Sequence, residues 1–265
     1  MLDLRFSESE LQVRRENITS FIEDTVDAAG ADGAVLGLSG GVDSALTAYL
    51  AVEALGTDSV YGLVLPATVS SEDNMSDAER VAENLGISHD VIEIDPIVDD
   101  LLDAYPAAED DTTAVGNSRA RVRGVLNYLV ANHENRVVLG TGNKSESLTG
   151  YFTKYGDGAV DCHPIGNLYK QQVRQLASDV GVSERVVTKP STAELWEDQT
   201  DEDEMGVDYD TLDAVLALHI EGTLSVAATQ RTLDIDRDTI DRVRELYEQS
   251  KHKRSLPPAP AEPSP

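Results

Sequence analysis

The first residues that could do chemistry form a short segment rich in glycine and serine. They are Gly37, Leu38, Ser39, Gly40, Gly41, Val42, Asp43 and Ser44. The segment follows an apolar run at 34–38, which predicts a buried strand, and precedes a helical pattern at 45–55. Glycines let a backbone approach a phosphate closely, and the free N–H groups of a helix N-terminus attract anions. Because the Asp43 carboxylate suits Mg²⁺, the segment predicts a site for a metal-bound phosphate chain.

The spacing within this segment distinguishes it from two common nucleotide-binding loops. No lysine follows its glycines, and the pattern Gly-x-Gly-x-x-Gly is absent. A strand-to-helix turn with a serine cap is the simplest alternative. The run Ser-Gly-Gly-x-Asp-Ser after a buried strand instead resembles the pyrophosphatase loop of the adenine nucleotide α-hydrolase superfamily, which cleaves ATP between its α and β phosphates. That loop alone leaves GMP, argininosuccinate and asparagine synthetases and tRNA-thiolating enzymes open.

A second group of polar residues, between 140 and 170, narrows the choice. It contains Thr141, Glu146, Lys154, Asp157 and Lys170, and its most specific part is Phe-Thr-Lys-Tyr-Gly-Asp-Gly at 152–158. This stretch closely resembles the ammonia-dependent NAD⁺ synthetase family. The segments 117–128, 189–195 and 252–254 resemble the same family, and the resemblance runs from about residue 15 to 256.

The resemblance implies an ATP-dependent amidation. The nicotinate carboxylate of deamido-NAD⁺ would attack the α-phosphate of ATP, pyrophosphate would leave, and ammonia would convert the adenylated carboxyl to NAD⁺ with release of AMP. The implied metal is Mg²⁺. Because the sequence offers no separate segment of glutaminase size, ammonia is expected from solution or from another chain. Since family members are homodimers with the dinucleotide site at the interface, the same assembly is expected here.

The resemblance also assigns roles residue by residue. The segment 37–44 with Thr141, Lys170 and Thr192 would bind ATP, and Asp43 and Glu146 would bind Mg²⁺. Asp43, Lys170 and Asp157 would be catalytic, with Asp157 orienting ammonia or accepting a proton from ammonium. The residues implied for deamido-NAD⁺ are Arg121, Lys154, Asp161, His252 and Lys253.

Several of these assignments have simpler alternatives. Glu146 could be a solvated acid and Lys170 a helix-surface charge, although the chain has only six lysines and none before residue 144. The cations His252 and Lys253 would also suit a helix C-terminus, where the dipole favours positive charge. At the level of function, the alternatives are a related enzyme that adenylates another carboxylate and a nucleotide sensor without turnover. The presence of both Asp43 and Glu146 disfavours the sensor.

Two features depart from a simple transfer of the family pattern. Arg119, Arg121 and Arg123 alternate along one predicted helix, so they cannot all share a face. Val64 stands where family members often carry an arginine before Leu-Pro. One cation that contacts ATP is therefore expected to be absent or supplied from elsewhere.

The elements that must position these residues alternate between strand and helix. Apolar runs predict strands at 34–38, 59–65, 90–94 and 136–139, and helical periodicity lies between them, as in the stretch 117–133. This alternation predicts an α/β fold, a doubly wound parallel sheet flanked by helices (Rossmann-like), and the resemblance adds the adenine nucleotide α-hydrolase fold. One domain is expected over 1–256, with a disordered tail at 257–265. The acidic segment 197–210 is expected to be a solvated loop, with a lid over the site as the alternative.

Composition limits the class of protein further. The 265 residues include 21 Lys+Arg and 49 Asp+Glu, a formal charge of −28, with 40% apolar residues. This balance disfavours binding to nucleic acid or anionic membranes, which depends on basic patches, and it is typical of proteins from salt-loving organisms. No apolar run reaches the ~18 residues of a membrane span, and no signal-peptide pattern opens the sequence. The lone Cys162 allows no internal disulfide and is expected to be structural. These features predict a cytoplasmic protein.

Overall fold

A four-stranded parallel sheet forms the centre of the molecule. The computed structural model describes residues 2–196 and 199–260. Its strands are β1 (Gly33–Gly37), β2 (Val60–Val64), β3 (Ser88–Val91) and β4 (Arg136–Val138), in the spatial order β3-β2-β1-β4. Val35 of β1 pairs with Tyr61 of β2 and with Val138 of β4. Because the chain leaves β1 toward β2 on one side and β4 lies on the other, the β1 carboxyl end is a switch point, where open α/β sheets bind ligands.

Helices connect the strands and extend the chain beyond them. They are α1 (Glu8–Ala29), α2 (Val42–Leu55), α3 (Glu72–Leu85), α4 (Asp95–Ala104), α5 (Thr112–Glu134), α6 (Lys144–Thr149), α7 (Lys170–Asp179), α8 (Glu184–Val187), α9 (Asp201–Met205), α10 (Tyr209–Val215), α11 (Val226–Leu233) and α12 (Arg237–Gln249). A π-helical turn, Leu216–Ile220, follows α10. In the described part of the chain, no helix is long and apolar enough to cross a membrane.

The sheet is covered on both faces. Leu36 of β1 points into a cluster with α1, α2 and α7, whereas Val35 points into a second cluster with α4 and α5. Alternate residues of a strand face opposite sides, so both faces of β1 are buried and its sequence is continuously apolar. The predicted doubly wound α/β fold is thereby confirmed.

A third apolar cluster joins the C-terminal helices to the site region. It contains Tyr169, Met205, Tyr209, Leu212 and Ile240, all buried. Here the predicted loop is wrong, because residues 201–205 form the helix α9 and Asp201 is buried, whereas the acidic side chains at 202–204 are exposed as predicted. Residues 197–198 of the predicted acidic loop and 261–265 of the predicted tail lie outside the described residues. The extent of the domain stays a prediction.

Several predicted element ends shift for identifiable reasons. Helix α1 begins at a capping box, in which Ser7 and Glu10 are bonded reciprocally, and it stops before Gly30. The strand predicted at 90–94 ends at Val91, although Ile92 still donates a backbone hydrogen bond to Val64 at the end of β2, and Ile94 donates one to Pro66. Helix α3 begins at Glu72, because the Ser71 side chain caps it.

Candidate active site

The loop after β1 turns sharply into α2. Gly40 has a φ of +76°, and a Cβ there would lie 2.2 Å from the Asn74 backbone oxygen, so only glycine fits. The backbone N–H of Ser39 donates to the Ser44 Oγ at 3.2 Å, and the Ser44 hydroxyl donates to the Gly41 carbonyl at 3.1 Å. The N-cap residue Gly41 has no side chain to bond the first N–H groups of α2. Among the described residues, no side chain caps these N–H groups, so they are available to an anionic ligand.

Three charged side chains from different elements meet beside this loop. The Lys170 Nζ, at the start of α7, lies 2.6 Å from the Asp43 Oδ2 and 3.3 Å from the Glu146 Oε1. Lys170 is only 1% exposed, which excludes the alternative of a helix-surface charge. Burial alone would lower the pKa of Lys170, but Asp43 and Glu146 together raise it. Lys170 therefore stays protonated between the two predicted metal ligands.

Asn143 fixes the distance between the two carboxylates. Its Nδ2 donates to the Asp43 Oδ1 at 2.8 Å, while its Oδ1 accepts from the Glu146 N–H at 3.0 Å. The Asn143 N–H donates in turn to the Glu146 Oε2, which completes a capping box at the start of α6. Burial raises the pKa of Glu146, and the neighbouring Lys170 ammonium lowers it.

Buried Asp213 connects the helices that carry Glu146 and Lys170. It accepts hydrogen bonds from the Ser145 hydroxyl of α6 and, at 3.0 Å, from the Gln171 N–H of α7. Burial raises the pKa of this carboxyl to about 6. Asp213 therefore fixes α6 against the N-terminus of α7 and so positions both charged side chains.

The chain brings a third carboxylate to this cluster. Asp201 is 4% exposed and its Oδ2 accepts a hydrogen bond from the Tyr209 hydroxyl at 2.8 Å. The same hydroxyl lies 3.4 Å from the Glu146 Oε1. The Asp201 Oδ1 has no hydrogen-bond partner among the described residues. Sequence reasoning missed Asp201 and Tyr209, because the only local signal was an acidic run, which is typical of a solvated loop.

A cavity of about 450 Å³ opens over these residues at the carboxyl ends of the strands. The predicted site residues that line it are Gly37, Leu38, Ser39, Gly41, Val42, Asp43, Ser44, Thr141, Glu146, Asp157, Lys170, Thr192 and Lys253. Gly40 does not line it, but shapes the loop. Asp157 is accessible from the cavity, yet the protein atoms packed around its carboxyl raise its pKa. Its Oδ1 accepts from the Thr153 N–H at 2.8 Å.

Most residues predicted to bind deamido-NAD⁺ lie outside this cavity. Lys253 lines it and donates from its Nζ to the Gly150 and Phe152 carbonyls, both at 2.8 Å. The Lys154 Nζ donates to the backbone oxygen of the exposed His252 at 2.7 Å. Arg121 is exposed, with a contact of 3.4 Å to the Lys154 carbonyl.

Asp161 has a local structural role. Its two oxygens accept from the Val138 N–H at 2.7 Å and from the Tyr128 hydroxyl at 3.0 Å. It thereby joins the end of β4 to α5. Any contact with a dinucleotide would add to these bonds.

Comparison with known proteins decides the family. The family model described as NAD synthase matches residues 14–257. The chain belongs to the NAD synthase family. An NH3-dependent NAD(+) synthetase from Halobacterium salinarum is 64% identical over 98% of this chain and 97% of its own length. One from Archaeoglobus fulgidus is 48% identical over 92% of this chain and 94% of its own length.

Solved structures of NAD synthase relatives share the fold. An NMN synthetase from Francisella tularensis superposes with a TM-score of 0.83 at 36% identity, covering 96% of this chain and 99% of that one. An NH3-dependent NAD synthetase from Campylobacter jejuni superposes with a TM-score of 0.79 at 30% identity, covering 95% and 99%. The resemblance given by the two motif clusters is thereby confirmed.

In this NAD synthase, the cation near the end of β2 comes from another element, helix α5. Val64 is buried and apolar, as its position in the strand requires. Arg123 of α5 reaches the same strand end and donates from its Nε to the Leu65 carbonyl at 2.9 Å. Arg119, one turn earlier, donates to the Leu195 carbonyl at 2.7 Å. Arg119 and Arg123 therefore point inward from α5, and Arg121 points outward.

Proposed function

We propose that this NAD synthase amidates deamido-NAD⁺ with ammonia, converting ATP to AMP and pyrophosphate, as the last step of NAD⁺ synthesis. One observation carries the assignment: the phosphate loop, Asp43, Glu146 and Lys170 share one cavity at the switch point of the sheet. Identity of 64% over nearly the whole length to an NH3-dependent NAD(+) synthetase supports the choice within the superfamily.

The loop and its neighbours form the ATP site of this proposal. The backbone N–H groups of 37–44 bind the phosphates and later the released pyrophosphate, and Thr141 and Thr192 contact the nucleotide from the cavity wall. Lys170 supplies positive charge to the phosphate chain. Because Lys170 is held by two carboxylates in the free chain, ATP binding requires its ammonium to exchange at least part of that contact for phosphate oxygens.

The residues around Lys170 also fit a magnesium ion. Asp43 and Glu146 provide the oxygen ligands that Mg²⁺ prefers, and a cation already lies between them, so their charges need a positive partner. Within residues 2–196 and 199–260, no group of three His, Cys, Asp or Glu side chains forms a metal site. Two carboxylates plus substrate phosphates is a usual Mg²⁺ arrangement. When bound there, Mg²⁺ would neutralise the charge that develops on the departing pyrophosphate.

The chemistry proceeds in two displacements. A nicotinate carboxylate oxygen attacks the α-phosphorus, the bond to the bridging oxygen breaks, and pyrophosphate leaves with the electron pair. Ammonia then attacks the acyl carbon, and the carbon–oxygen bond to AMP breaks. The attacking nitrogen loses one proton, and we assign its acceptance to Asp157, which lines the cavity and whose pKa is raised by the surrounding protein atoms. Holding both substrates in one cavity lowers the entropic part of the barrier.

Five residues complete the dinucleotide site in this proposal. Lys253 contributes from the cavity, whereas Arg121, Lys154, Asp161 and His252 contribute from the adjoining surface. A site that continues from the cavity onto the surface of α5 would be closed by a second copy of the chain.

A coupled assay tests the reaction. Purified protein in molar KCl receives ATP, Mg²⁺, deamido-NAD⁺ and an ammonium salt, and NAD⁺ and AMP are quantified together. Equal amounts of both products, dependent on ammonium, are expected. ADP in place of AMP, or pyrophosphate release without NAD⁺, would contradict the assignment. A Glu146→Ala variant with undiminished synthesis would exclude the proposed metal ligand.

A second candidate substrate follows from one structural neighbour. The Francisella tularensis protein is an NMN synthetase, which implies that the same fold can amidate a mononucleotide. The same assay with nicotinate mononucleotide measures the preference directly. A kcat/KM at least tenfold higher for deamido-NAD⁺ is expected here, because the cations of the dinucleotide site extend beyond the cavity. The reverse preference would reassign the substrate.

The homodimer belongs to the same proposal. Apolar side chains on α4 and α5 are exposed next to Arg121, among them Leu101 (49%), Val125 (67%) and Leu129 (61%). Val125 and Leu129 follow Arg121 at four-residue spacing and so share its face of α5. A second copy covering this face would bury these side chains and approach the surface cations of the dinucleotide site.

Light scattering after gel filtration tests the dimer. The wild type is expected at twice its chain mass of 28.6 kDa, and Val125→Glu with Leu129→Glu is expected to give monomers. Val13→Glu, on the exposed side of α1, is the matched control and should leave the dimer intact. A monomeric wild type, or a dimer that survives the double change on α5, would contradict the interface.

A further inference from the structure

The inner face of α5 carries a polar stripe that the assigned roles leave unused. Arg119, Arg123 and Asn127 recur at four-residue spacing and so lie on one side of the helix. Arg123 and Asn127 line the cavity, whereas Arg121, two residues from Arg123, is on the exposed side. Polar side chains directed inward along a helix need partners.

Arg123 uses only a small part of its hydrogen-bonding capacity. A guanidinium has five N–H donors and stays charged in proteins. Within residues 2–196 and 199–260, its one hydrogen bond joins the Nε to the Leu65 carbonyl, and no carboxylate lies within ion-pairing distance. Burial lowers the pKa of Arg123, with Glu194 acting in the opposite direction. Arg123 lines the cavity, and its two terminal nitrogens have no protein acceptor among the described residues.

Asn127 adds a second incompletely bonded group one turn along. Its Oδ1 is buried and has no hydrogen-bond partner among the described residues. A Cβ added at Gly37 would lie 3.7 Å from the Asn127 Nδ2, so this amide stands next to the phosphate loop. The stripe therefore extends from the end of β2, at Leu65, to the end of β1.

The charge around the stripe identifies the kind of ligand. Planar guanidinium groups pair best with carboxylate or phosphoryl oxygens, often through two parallel hydrogen bonds. The unbonded donors of Arg123 lie in the same cavity as the phosphate loop and Asp157. A neutral ligand would leave a buried charge uncompensated, whereas an anionic one would neutralise it.

We propose that Arg123 binds an anionic oxygen group of a substrate, a carboxylate or a phosphoryl group, with the Asn127 Nδ2 beside the phosphate loop as the adjacent donor. The inference rests on the proposed function, since it takes the anion from ATP or from deamido-NAD⁺. Arg123 and Lys170 line the same cavity, so the reacting anions would meet two cations there. Arg123 is thereby a substrate-binding residue.

Calorimetry with separate ligands tests the proposal and identifies the source of the anion. Wild type, Arg123→Met and Arg123→Lys are titrated with Mg·ATP, pyrophosphate, deamido-NAD⁺ and NAD⁺. Loss of a charged hydrogen-bond pair is expected to weaken at least one ligand about 10- to 100-fold in Arg123→Met. The lysine variant, which keeps charge but not the planar fork, is expected to fall between.

The pattern of losses separates the two sources. Weaker binding of deamido-NAD⁺ with unchanged NAD⁺ identifies the nicotinate carboxylate, because only that group distinguishes the two dinucleotides. Weaker binding of ATP or pyrophosphate identifies a phosphoryl group. Arg14→Met, which removes one exposed arginine on α1, is the matched control and should bind all four ligands like the wild type.

Unchanged affinities for all four ligands in both variants would overturn the proposal. Circular dichroism and a thermal melt check folding, and Arg123→Lys carries the test if the methionine variant does not fold. Failure of the wild type to make NAD⁺ would refute the proposed function alone. The ATP and pyrophosphate titrations would still decide the role of Arg123.

Discussion

Lys170 occupies the side of Asp43 and Glu146 that a divalent cation would approach. Its Nζ contacts both carboxylates, and its position at the start of α7 is fixed by the hydrogen bond from its own N–H to the Ser145 Oγ at 3.0 Å. Before any ligand binds, the Lys170 ammonium therefore offsets the negative charge of these two carboxylates. Metal binding without nucleotide must compete with that charge.

Removing this ammonium should strengthen nucleotide-free metal binding. In Lys170→Met, the affinity for Mn²⁺ without ATP, measured by electron paramagnetic resonance, is expected to rise at least tenfold, because the competing cation is gone. NAD⁺ synthesis is expected to fall by two orders of magnitude or more, since Lys170 also serves ATP. Lys144→Met, which removes a lysine paired with Glu221, is the control and should not change Mn²⁺ affinity. Equal Mn²⁺ affinity in wild type and Lys170→Met would refute the competition.

The protein environment of Cys162 makes its thiol less reactive. Burial raises the pKa of its thiol to about 11, so the reactive thiolate is scarce at neutral pH. Alkylation by iodoacetamide at pH 8 is expected to be about 100-fold slower in the native protein than in guanidinium, followed by mass spectrometry. The native rate should rise with pH up to about 11. A native rate equal to the unfolded rate would contradict a buried structural thiol.

At the residue scale, prediction from sequence depends on how local the signal is. The roles of Glu146 and Lys170 came from the family resemblance and stay predictions. Residues 37–44 were identifiable as a candidate phosphate loop because their glycines, serines and Asp43 are adjacent in sequence. Asp201 was not, because its burial depends on the Tyr209 hydroxyl and on packing against α10. Arg123 had a local signal in the alternation of arginines, but the sequence could not show that Arg119 and Arg123 turn inward and Arg121 outward.

At the scale of elements, the short helix α6 depends on its cap to hold Glu146 toward Asp43. Asn143 is fully buried, caps α6 and bonds Asp43 with the same amide. Asn143→Ser keeps a capping oxygen and loses the bond to Asp43, whereas Asn143→Ala loses both.

The two variants should separate the stability of α6 from the geometry of the metal pair. The alanine variant is expected to lose about 1 kcal/mol or more of unfolding free energy in urea, and the serine variant less. Both should weaken Mn²⁺ binding in the presence of pyrophosphate, because Asp43 is released from its fixed orientation. If the Mn²⁺ affinity fell only in proportion to the loss of stability, and Asn143→Ser bound Mn²⁺ almost like the wild type, Asn143 would have a capping role only.

Helices and strands were predictable from the sequence where their periodicity was strong and their caps were local patterns. The start of α1 was readable from Ser7 and Glu10 because a capping box is a local pattern. The end of β3 was not, because backbone hydrogen bonds continue past it without strand geometry. Helix α9 was missed because its stability comes from Met205 and its burial in the C-terminal cluster, while its sequence is almost entirely acidic.

At the scale of the whole molecule, the doubly wound architecture was predictable from alternating apolar strands and amphipathic helices, since few topologies satisfy that order. The way the C-terminal helices close on the site was not, because it depends on contacts between segments far apart in sequence. Asp213 of α10 bonding Gln171 of α7 is one such contact.

The formal charge of −28 makes the folded state depend on salt. Compaction brings like charges together, and their repulsion weakens as the Debye length falls from about 10 Å at 0.1 M to about 3 Å at 1 M salt. The melting temperature is therefore expected to rise by about 10 °C or more between 0.1 and 2 M KCl, measured by circular dichroism. Sucrose, which favours burial without screening charge, should give a smaller rise at 0.1 M KCl.

A variant with fewer exposed acids distinguishes screening from a general salt effect. Glu23, Asp24 and Asp27 are exposed on α1, away from the cavity residues. Changing them to Gln, Asn and Asn removes three negative charges and should raise the melting temperature at 0.1 M KCl. The same change should have little effect at 2 M KCl, where the repulsion is already screened. An equal shift at both salt concentrations would mean that the substitutions act through local helix stability and that repulsion does not set the salt requirement.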